Sequence, residues 1–175
     1  MLLQHPSGID RKVKKNIDLS HDALTILAEK WLKKKNFGVT FDDKFKALAE
    51  TGEQPDSLGF RNGVSALVEC KCSRSDFLAD SKKKFRMEPD LGMGDWRFYL
   101  CPEGLIGKNE IPHWWGLLWA VKGKVIEVSG VPTNVSWVSE KPFCGNKKAE
   151  MSMMYSALRK LTRGKPFSDV YDNLK

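Results

Sequence analysis

Residues 55–72, PDSLGFRNGVSALVECKC, form the stretch that most constrains the fold. Asn62-Gly63 is the dipeptide preferred in a two-residue type I′ turn, because both positions of that turn need a positive φ. The run after the turn is apolar and rich in β-branched residues, so the sequence predicts a β-hairpin. Counting outward from the turn places Asp56 directly opposite Glu69 on the paired strand.

The second strand of this hairpin carries two charged residues, Glu69 and Lys71, inside an otherwise apolar run. A two-residue spacing on a strand puts both side chains on one face, ~7 Å apart, and leaves Cys70 and Cys72 on the other face. Like charges directly opposite each other on a sheet are destabilising, so the pair of Asp56 and Glu69 needs something to hold it together. Mg²⁺ is typically bound by one or two carboxylates while it keeps waters and takes phosphate oxygens as its other ligands. The residues therefore predict a metal-binding carboxylate pair with a lysine beside it.

This pattern, Pro55-Asp56 followed after twelve residues by Glu69-Cys70-Lys71, resembles the motif of the PD-(D/E)xK phosphodiesterase superfamily. The continuation ECKCSRSDFLADSKKKF, the strand WRFYLCP and the segments GLI and WGLL resemble the bacterial MmcB-like branch, described as DNA-repair nucleases, over residues 20 to 163. The resemblance implies an α/β (α+β) fold with a restriction-endonuclease-like αβββαβ core, in which helices flank a central mixed sheet. An extra hairpin and a C-terminal helix are expected beyond that core.

The resemblance also implies an activity, the metal-dependent hydrolysis of DNA phosphodiester bonds in repair or recombination. Asp56 and Glu69 are expected to hold one or two Mg²⁺ or Mn²⁺ ions, and the superfamily adds the main-chain carbonyl of the residue between Glu and Lys, here Cys70. A bound metal lowers the pKa of its water and neutralises charge that develops on the phosphate. Lys71 is expected to orient or activate that water and to stabilise the transition state electrostatically, so Lys71→Ala should abolish cleavage and spare DNA binding.

Two further acidic ligands rest on the resemblance. In parts of the superfamily a glutamate on the first helix helps to bind the metal, which points to Glu29; a solvated helix carboxylate is the alternative. MmcB-like proteins tend to carry another acidic residue near the first strand or the following loop. We select Glu53 because it is close to Pro55-Asp56; the other residues of this region that offer a carboxylate are Asp42, Asp43 and Glu50.

A basic helix is expected directly after Lys71, because Ser73 and Asp76 form an S-x-x-D capping signature. Its N-terminal amides should lie near the proposed metal, and helix N-termini favour phosphate. We expect this helix to run from Ser73 to Arg86 and to contact the nucleic-acid backbone. The residues assigned to that contact are Ser73, Arg74, Lys82, Lys83, Lys84 and Arg86.

Hydrophobic periodicity predicts a single domain over residues 19–165, preceded by a loose arm at 1–18 and followed by a tail at 166–175. The first helix is capped by Ser20 and stopped by Gly38, with an apolar stripe of Leu24, Leu27, Ala28, Trp31 and Leu32. The last helix is stopped by Gly164 and Pro166, with a stripe of Met151, Met154, Tyr155, Leu158 and Leu161. Besides the anchoring hairpin, strands are predicted at 38–45, 96–101, 115–121 and 124–130. Trp114, Trp115 and Trp119 are assigned to the core, with stacking on nucleic-acid bases as the alternative.

The charge balance favours a polyanionic partner, since 29 basic and 22 acidic residues give a net charge of +7. We therefore expect DNA as the partner, with RNA not excluded. A membrane is not expected, because the longest apolar run, 114–121, is too short to span a bilayer. The N-terminal residues lack a signal-peptide pattern, which predicts a cytoplasmic protein with reduced cysteines. The three histidines, His5, His21 and His113, have no second ligand at metal-binding spacing, and the oligomeric state stays open, a homodimer included.

Two other classes of function are compatible with these residues. The first is a catalytically silent nucleic-acid-binding or adaptor protein that has kept the nuclease fold. The second is a protein-interaction module in which Glu69 and Lys71 form only a structural salt bridge. Metal binding that depends on Asp56 separates the nuclease from the interaction module, because a salt bridge without a site should bind no metal.

Overall fold

The fold is built on a six-stranded sheet with strands in both directions. The computed structural model describes residues 19–46 and 51–163, so the predicted arm, the predicted tail, Glu50, Gly164 and Pro166 lie outside the described residues. The strands follow one another across the sheet in chain order: β1 (Val39–Asp42), β2 (Ser57–Arg61), β3 (Val64–Cys70), β4 (Trp96–Pro102), β5 (Gly116–Val121) and β6 (Lys124–Ser129). Strands β1, β2 and β3 are antiparallel, β3, β4 and β5 are parallel, and β6 is antiparallel to β5. The predicted mixed sheet is therefore confirmed.

Helices flank this sheet and connect its strands. They are α1 (His21–Lys34), α2 (Arg74–Asp80), α3 (Lys84–Met87), α4 (Ser136–Ser139) and α5 (Lys147–Leu161), with a 3-10 turn at Pro89–Leu91. The Ser20 hydroxyl caps α1 by accepting a hydrogen bond from the Ala23 amide at 3.3 Å, as predicted. The first helix ends before Gly38, because Asn36 takes the left-handed conformation with a φ of 66°.

The register of the β2–β3 hairpin agrees with the count from the turn. Phe60 pairs with Ser65, and Leu58 pairs with Leu67. The turn itself differs from the prediction, because among the described residues only Gly63 of the Asn62-Gly63 pair has a positive φ. A two-residue loop fixes the register whichever turn type it adopts, so the error in turn type leaves the placement of the strands unchanged. The β5–β6 turn at Lys122-Gly123 has positive φ at both positions.

Each face of the sheet is covered by different helices. On one face, α1 buries its predicted stripe residues Leu24, Ala28, Trp31 and Leu32, and Cys70 joins this apolar cluster. On the other face, α2 contributes Phe77, while α5 contributes Ala149 and Met153. Strand β3 runs between the two layers and is buried along its whole length. The alternation along β3 thus sends Cys70 to the α1 side, and Glu69 to the side of α2 and α5.

The predicted basic helix from Ser73 to Arg86 is two short helices, which corrects that expectation. Its start is as predicted, since the Ser73 hydroxyl accepts a hydrogen bond from the Asp76 amide at 3.2 Å. The first helix, α2, ends at Asp80, and the backbone is extended at Lys83 before α3 begins at Lys84. In one unbroken helix, the side chains of residues six apart point about 120° away from each other. The break therefore allows Asp80 and Arg86 to face the interior together.

The last helix is present, but the apolar stripe that was predicted to face the core faces solvent instead. Met151, Tyr155 and Leu161 are more than 60% exposed, and Ala149, Glu150 and Met153 face the sheet instead. A polar network holds the first turn of α5 at the sheet. In it, Glu150 Oε1 accepts hydrogen bonds from the Ser65 hydroxyl at 2.7 Å and the Gly94 amide at 2.9 Å, and Lys147 Nζ lies 2.7 Å from Asp95 Oδ1. Periodicity of apolar residues could not reveal this, because the residue that anchors the helix is a glutamate.

Arg97 on β4 fixes the loop that leads into its own strand. Its side chain is buried, and it donates hydrogen bonds to the carbonyl oxygens of Gly94 at 3.1 Å, Pro89 at 2.7 Å and Gly92 at 2.9 Å. The guanidinium also lies 4.1 Å from the centre of the Phe143 ring. A planar group with several donors suits this set of carbonyls.

The tryptophans assigned to the core divide between core and surface. Trp115 is buried and stacks on Tyr99 with ring centres 4.4 Å apart, whereas Trp119 is half-buried. Trp114 is 64% exposed and has a φ of 67°. None of the described helices has the length and apolar character needed to cross a membrane.

Candidate functional site

The β2–β3 hairpin brings the three predicted catalytic residues to one end of the sheet. Asp56 directly precedes β2, Glu69 is the penultimate residue of β3, and Lys71 follows that strand. The Asp56 carboxylate accepts a hydrogen bond through Oδ2 from the Cys70 amide at 2.8 Å. Lys71 Nζ lies 3.1 Å from Glu69 Oε2, and both side chains are only 3% exposed. The predicted placement of Glu69 and Lys71 on one face is therefore confirmed.

Arg86 lies in the interior beside these residues. Its Nη1 is 2.6 Å from Glu53 Oε1, and its Nε is 2.9 Å from Asp80 Oδ2. Its Nη2 is 2.9 Å from Glu69 Oε1 but is not aligned for a hydrogen bond. The guanidinium therefore meets three carboxylates at once and is 3% exposed. This corrects the expectation that Arg86 contacts a nucleic-acid backbone, because its charge is already matched inside the protein.

Glu53, the third carboxylate selected from the sequence, belongs to this buried group. Besides its contact with Arg86, its Oε2 accepts a hydrogen bond from the Met93 amide at 2.6 Å. Burial raises the pKa of Glu53, and Arg86 and the Met93 amide counteract only part of that rise. The structure thus brings Glu53 to the same arginine as Glu69.

Asp80 completes the network and was not predicted. Its Oδ1 lies 3.2 Å from Lys71 Nζ and 2.8 Å from Lys83 Nζ, and its Oδ2 accepts a hydrogen bond from the Tyr99 hydroxyl at 2.8 Å. The sequence did contain a signal for it. Asp80 follows Phe77 by three residues, which places an acid on the apolar side of a short helix, where a carboxylate is rarely found without a partner.

The network holds two of its members, Lys71 and Asp80, in their charged forms. Burial alone lowers the pKa of Lys71, but Glu69 and Asp80 outweigh burial and keep this pKa above its ordinary value. Burial alone raises the pKa of Asp80, but Arg86 and Lys71 outweigh it and lower this pKa. Lys71 is therefore an ammonium group at neutral pH, which can donate hydrogen bonds and offset negative charge but cannot accept a proton.

Asp56 is an acid at this end of the sheet whose charge is only partly compensated. Burial, followed by the nearby charge of Glu69, raises the pKa of Asp56 to about 6, although the Cys70 amide and Lys71 oppose the rise. The side chain keeps 17% of its surface exposed. A cation placed beside a partly accessible carboxylate of raised pKa stabilises its charged form.

His21, at the start of α1, contacts Asp56 and so is not isolated as the sequence suggested. Its Nε2 lies 3.2 Å from Asp56 Oδ1, and its Nδ1 lies 3.5 Å from Asp43 Oδ2. Ligand atoms of His21, Asp22 and Asp43 lie within 4.8 Å of one another. These contacts join parts of the chain that are far apart in sequence, which is why a search for ligands at short spacing did not find them.

Glu29 lines a recess together with Asp22, Asp42 and Asp43, and its own hydrogen bonds go elsewhere. Its Oε1 accepts hydrogen bonds from Lys33 Nζ at 2.6 Å and from the Thr40 hydroxyl at 3.2 Å. The hydrogen bond to Lys33 comes first among the causes that lower the pKa of Glu29. These contacts are those of a solvated helix carboxylate, the alternative that the sequence left open.

The basic residues after β3 differ in how far they are available to a partner. Arg74 Nη2 forms an ion pair with Glu110 Oε1 at 2.6 Å, and Lys83 is turned towards Asp80. Lys82 and Lys84 are exposed. Of the predicted nucleic-acid contact, Ser73, Arg74, Lys82, Lys83 and Lys84 therefore remain at the surface, and the charges of Arg74 and Lys83 are partly matched by acids.

Comparisons with known proteins bear on the fold alone. No protein-family model matches the chain, and no curated protein matches it. Among solved structures, it is similar to the SPO1766 protein of unknown function from Silicibacter pomeroyi, with a TM-score of 0.54 and 22% sequence identity. The similarity covers 83% of this chain and 92% of the other.

Proposed function

We propose that this protein is a metal-dependent nuclease that hydrolyses phosphodiester bonds of DNA. The observation that carries the proposal is the meeting of Asp56, Glu69 and Lys71 at one end of the β2–β3 hairpin, with the charge of Asp56 poorly compensated. The element order α1, β1, β2, β3, α2, β4 supports it, because this is the order of the restriction-endonuclease-like core that the sequence resembles.

The oxygen donors at this position fit a divalent cation such as Mg²⁺ or Mn²⁺. Within the described residues, Asp56 Oδ1 accepts no backbone hydrogen bond, unlike Oδ2, so it is the oxygen available to a cation. The Glu69 carboxylate meets Lys71 and Arg86, and its contact with Arg86 Nη2 is the one without hydrogen-bond alignment. Glu69 can therefore turn an oxygen to a cation by giving up its least favourable contact. The main-chain carbonyl of Cys70 would add a third oxygen.

A bound cation of this kind supplies a water of lowered pKa and neutralises charge on the scissile phosphate. The residues of the chain would bind the cation and orient the phosphate and the attacking water. Lys71, held as an ammonium by Glu69 and Asp80, donates a hydrogen bond to a phosphate oxygen or to the attacking water. The Tyr99 hydroxyl holds Asp80 in place behind it. Lys82 and Lys84 contact the phosphate backbone, which sets position and affinity rather than sequence preference.

A catalytically silent nucleic-acid-binding protein is the second candidate, and one observation favours it. Glu69 and Lys71 are both 2% exposed, and each is already paired within the protein. Buried ion networks of this kind also occur as purely structural features. The two candidates differ in whether the Asp56 carboxylate binds a metal ion.

Cleavage assays with the purified protein separate these candidates. Linear, circular, single-stranded and branched DNA are each incubated with the protein in Mg²⁺, in Mn²⁺ and in a chelator. We expect metal-dependent cleavage by the wild type and none by Asp56→Asn, with circular dichroism to verify that the variant is folded. Glu103→Gln, a change at an exposed acid, is the matched control and should cleave like the wild type. Salt-sensitive DNA binding without cleavage of any substrate would support the silent alternative.

A further inference from the structure

Asp56 has one carboxylate oxygen available for a cation, and that oxygen lies against an imidazole. Oδ2 is used by the Cys70 amide, whereas Oδ1 lies 3.2 Å from His21 Nε2. A cation bound to Oδ1 therefore lies beside His21. The side chains of His21 and Asp56 are 38% and 17% exposed, so an ion can reach this position from solvent.

The separation of these two atoms suits ligands of one ion. Metal–nitrogen and metal–oxygen bonds to first-row ions such as Zn²⁺ are about 2.0–2.2 Å long. Two such ligands at neighbouring corners are therefore about 2.8–3.1 Å apart in an octahedron and about 3.3–3.6 Å apart in a tetrahedron. The observed distance of 3.2 Å from His21 Nε2 to Asp56 Oδ1 lies between these two ranges. Small adjustments of the two side chains therefore suffice to accept an ion.

Asp43 is placed to orient the imidazole. A histidine that binds a metal usually turns its other ring nitrogen to a carboxylate, and His21 Nδ1 lies 3.5 Å from Asp43 Oδ2. Asp43 Oδ1 is buried and lacks a hydrogen-bond partner within the described residues.

We propose that His21 is a nitrogen ligand of the cation held by Asp56, and that Asp43 orients the His21 ring. This inference rests on the proposed metal site of the nuclease. Imidazole nitrogen favours transition-metal ions, whereas Mg²⁺ prefers oxygen ligands. The site therefore selects a first-row transition-metal ion over Mg²⁺.

The test measures binding of Mn²⁺ and Mg²⁺ by calorimetry to the full chain without DNA. His21→Ala should weaken Mn²⁺ binding by about 10- to 100-fold and change Mg²⁺ binding by less than about threefold. His113→Ala, at an exposed histidine elsewhere, is the matched control and should bind both ions like the wild type. Electron spin echo spectroscopy of Mn²⁺ bound to the wild type should show coupling to an imidazole ¹⁴N that His21→Ala lacks.

The outcomes separate this inference from the metal site on which it rests. Loss of Mn²⁺ binding in Asp56→Asn, together with full binding in His21→Ala and no nitrogen coupling in the wild type, would keep the metal site and overturn the role of His21. A wild type that binds no Mn²⁺, or binding unchanged in both variants, would overturn both. The spin echo measurement on the wild type needs no substitution, and His21→Asn serves as a second variant if the alanine variant melts early.

Discussion

Replacing Asp56 by asparagine should stabilise the metal-free protein. The amide keeps an oxygen that can accept from the Cys70 N–H, and its NH₂ can donate to His21 Nε2. Burial and Glu69 raise the pKa of Asp56 from 3.8 to about 6, so folding with this group ionised is unfavourable. Each pKa unit corresponds to about 1.4 kcal/mol, which gives an upper limit of ~3 kcal/mol. Since the side chain is partly exposed, we expect ~1–2 kcal/mol, or a melting temperature higher by about 2–8 °C.

The sign of this effect depends on pH in a specific way. The folded state holds its proton on Asp56 up to about pH 6, whereas the unfolded state releases it near pH 3.8. Between these values the folded state binds more protons, so this group makes the wild type less stable as pH rises. The asparagine variant lacks the titration. Its advantage should therefore be small near pH 4 and complete above pH 6.

The assay is thermal and urea unfolding in a chelator at several values between pH 4 and pH 8. Glu103→Gln is the control, and its stability should track the wild type at every pH. Adding Mn²⁺ should raise the melting temperature of the wild type and leave Asp56→Asn unchanged, because only the wild type binds the ion. An asparagine variant that is no more stable than the wild type at pH 7.5, or an advantage that is constant across pH, would refute the reasoning.

Three further predictions concern the buried ions, the β4 arginine and the exposed lysines. Lys71→Met should cost about 3 kcal/mol in urea unfolding, because it removes one of the two buried cations that Glu69 and Asp80 share, and adding Asp80→Asn should restore part of the loss. Arg97→Lys should cost about 2 kcal/mol, because one ammonium cannot reach the three carbonyls that the guanidinium holds. Lys82→Ala with Lys84→Ala should weaken DNA binding and reduce the slope of log K against log salt by about 2.

Two of these predictions have a matched control in the same chain. For the lysines it is Lys122→Ala with Lys124→Ala at the β5–β6 turn, which should leave the salt slope unchanged. For Arg97 it is Arg159→Lys on the exposed side of α5, which should be close to neutral. A double variant at Lys71 and Asp80 that is less stable than Lys71→Met alone would contradict the charge argument for that pair.

The sequence was most informative where residues close along the chain decide the structure. The Asn62-Gly63 turn fixed the hairpin register, and strand alternation then placed Glu69 and Lys71 on one side of β3. The cap at Ser20 was correct for the same reason, because capping involves residues three apart.

The partners of these residues could not be predicted, because they arrive from distant segments. Arginine is usually found at the surface, and Arg86 points inward to the buried acids because the chain breaks between α2 and α3. His21 contacts Asp56 because α1 begins at the end of the sheet where Asp56 leads into β2. The exposed stripe of α5 shows a second limit. Apolar periodicity identifies one face of a helix, but it cannot show that this face points to solvent when a glutamate, Glu150, binds the helix to the sheet.

The way α5 is fastened implies a gradient of local stability along that helix. Its first turn is tied by Glu150 and Lys147 to the sheet, whereas much of the second half faces solvent, with Lys160 resting on the Phe45 ring at 4.6 Å. Amide hydrogen exchange reports such local opening residue by residue. Amides in the first two turns should therefore exchange on the timescale of core strands, and those near Leu161 should exchange orders of magnitude sooner, so that α5 unravels from its far end while the sheet stays intact.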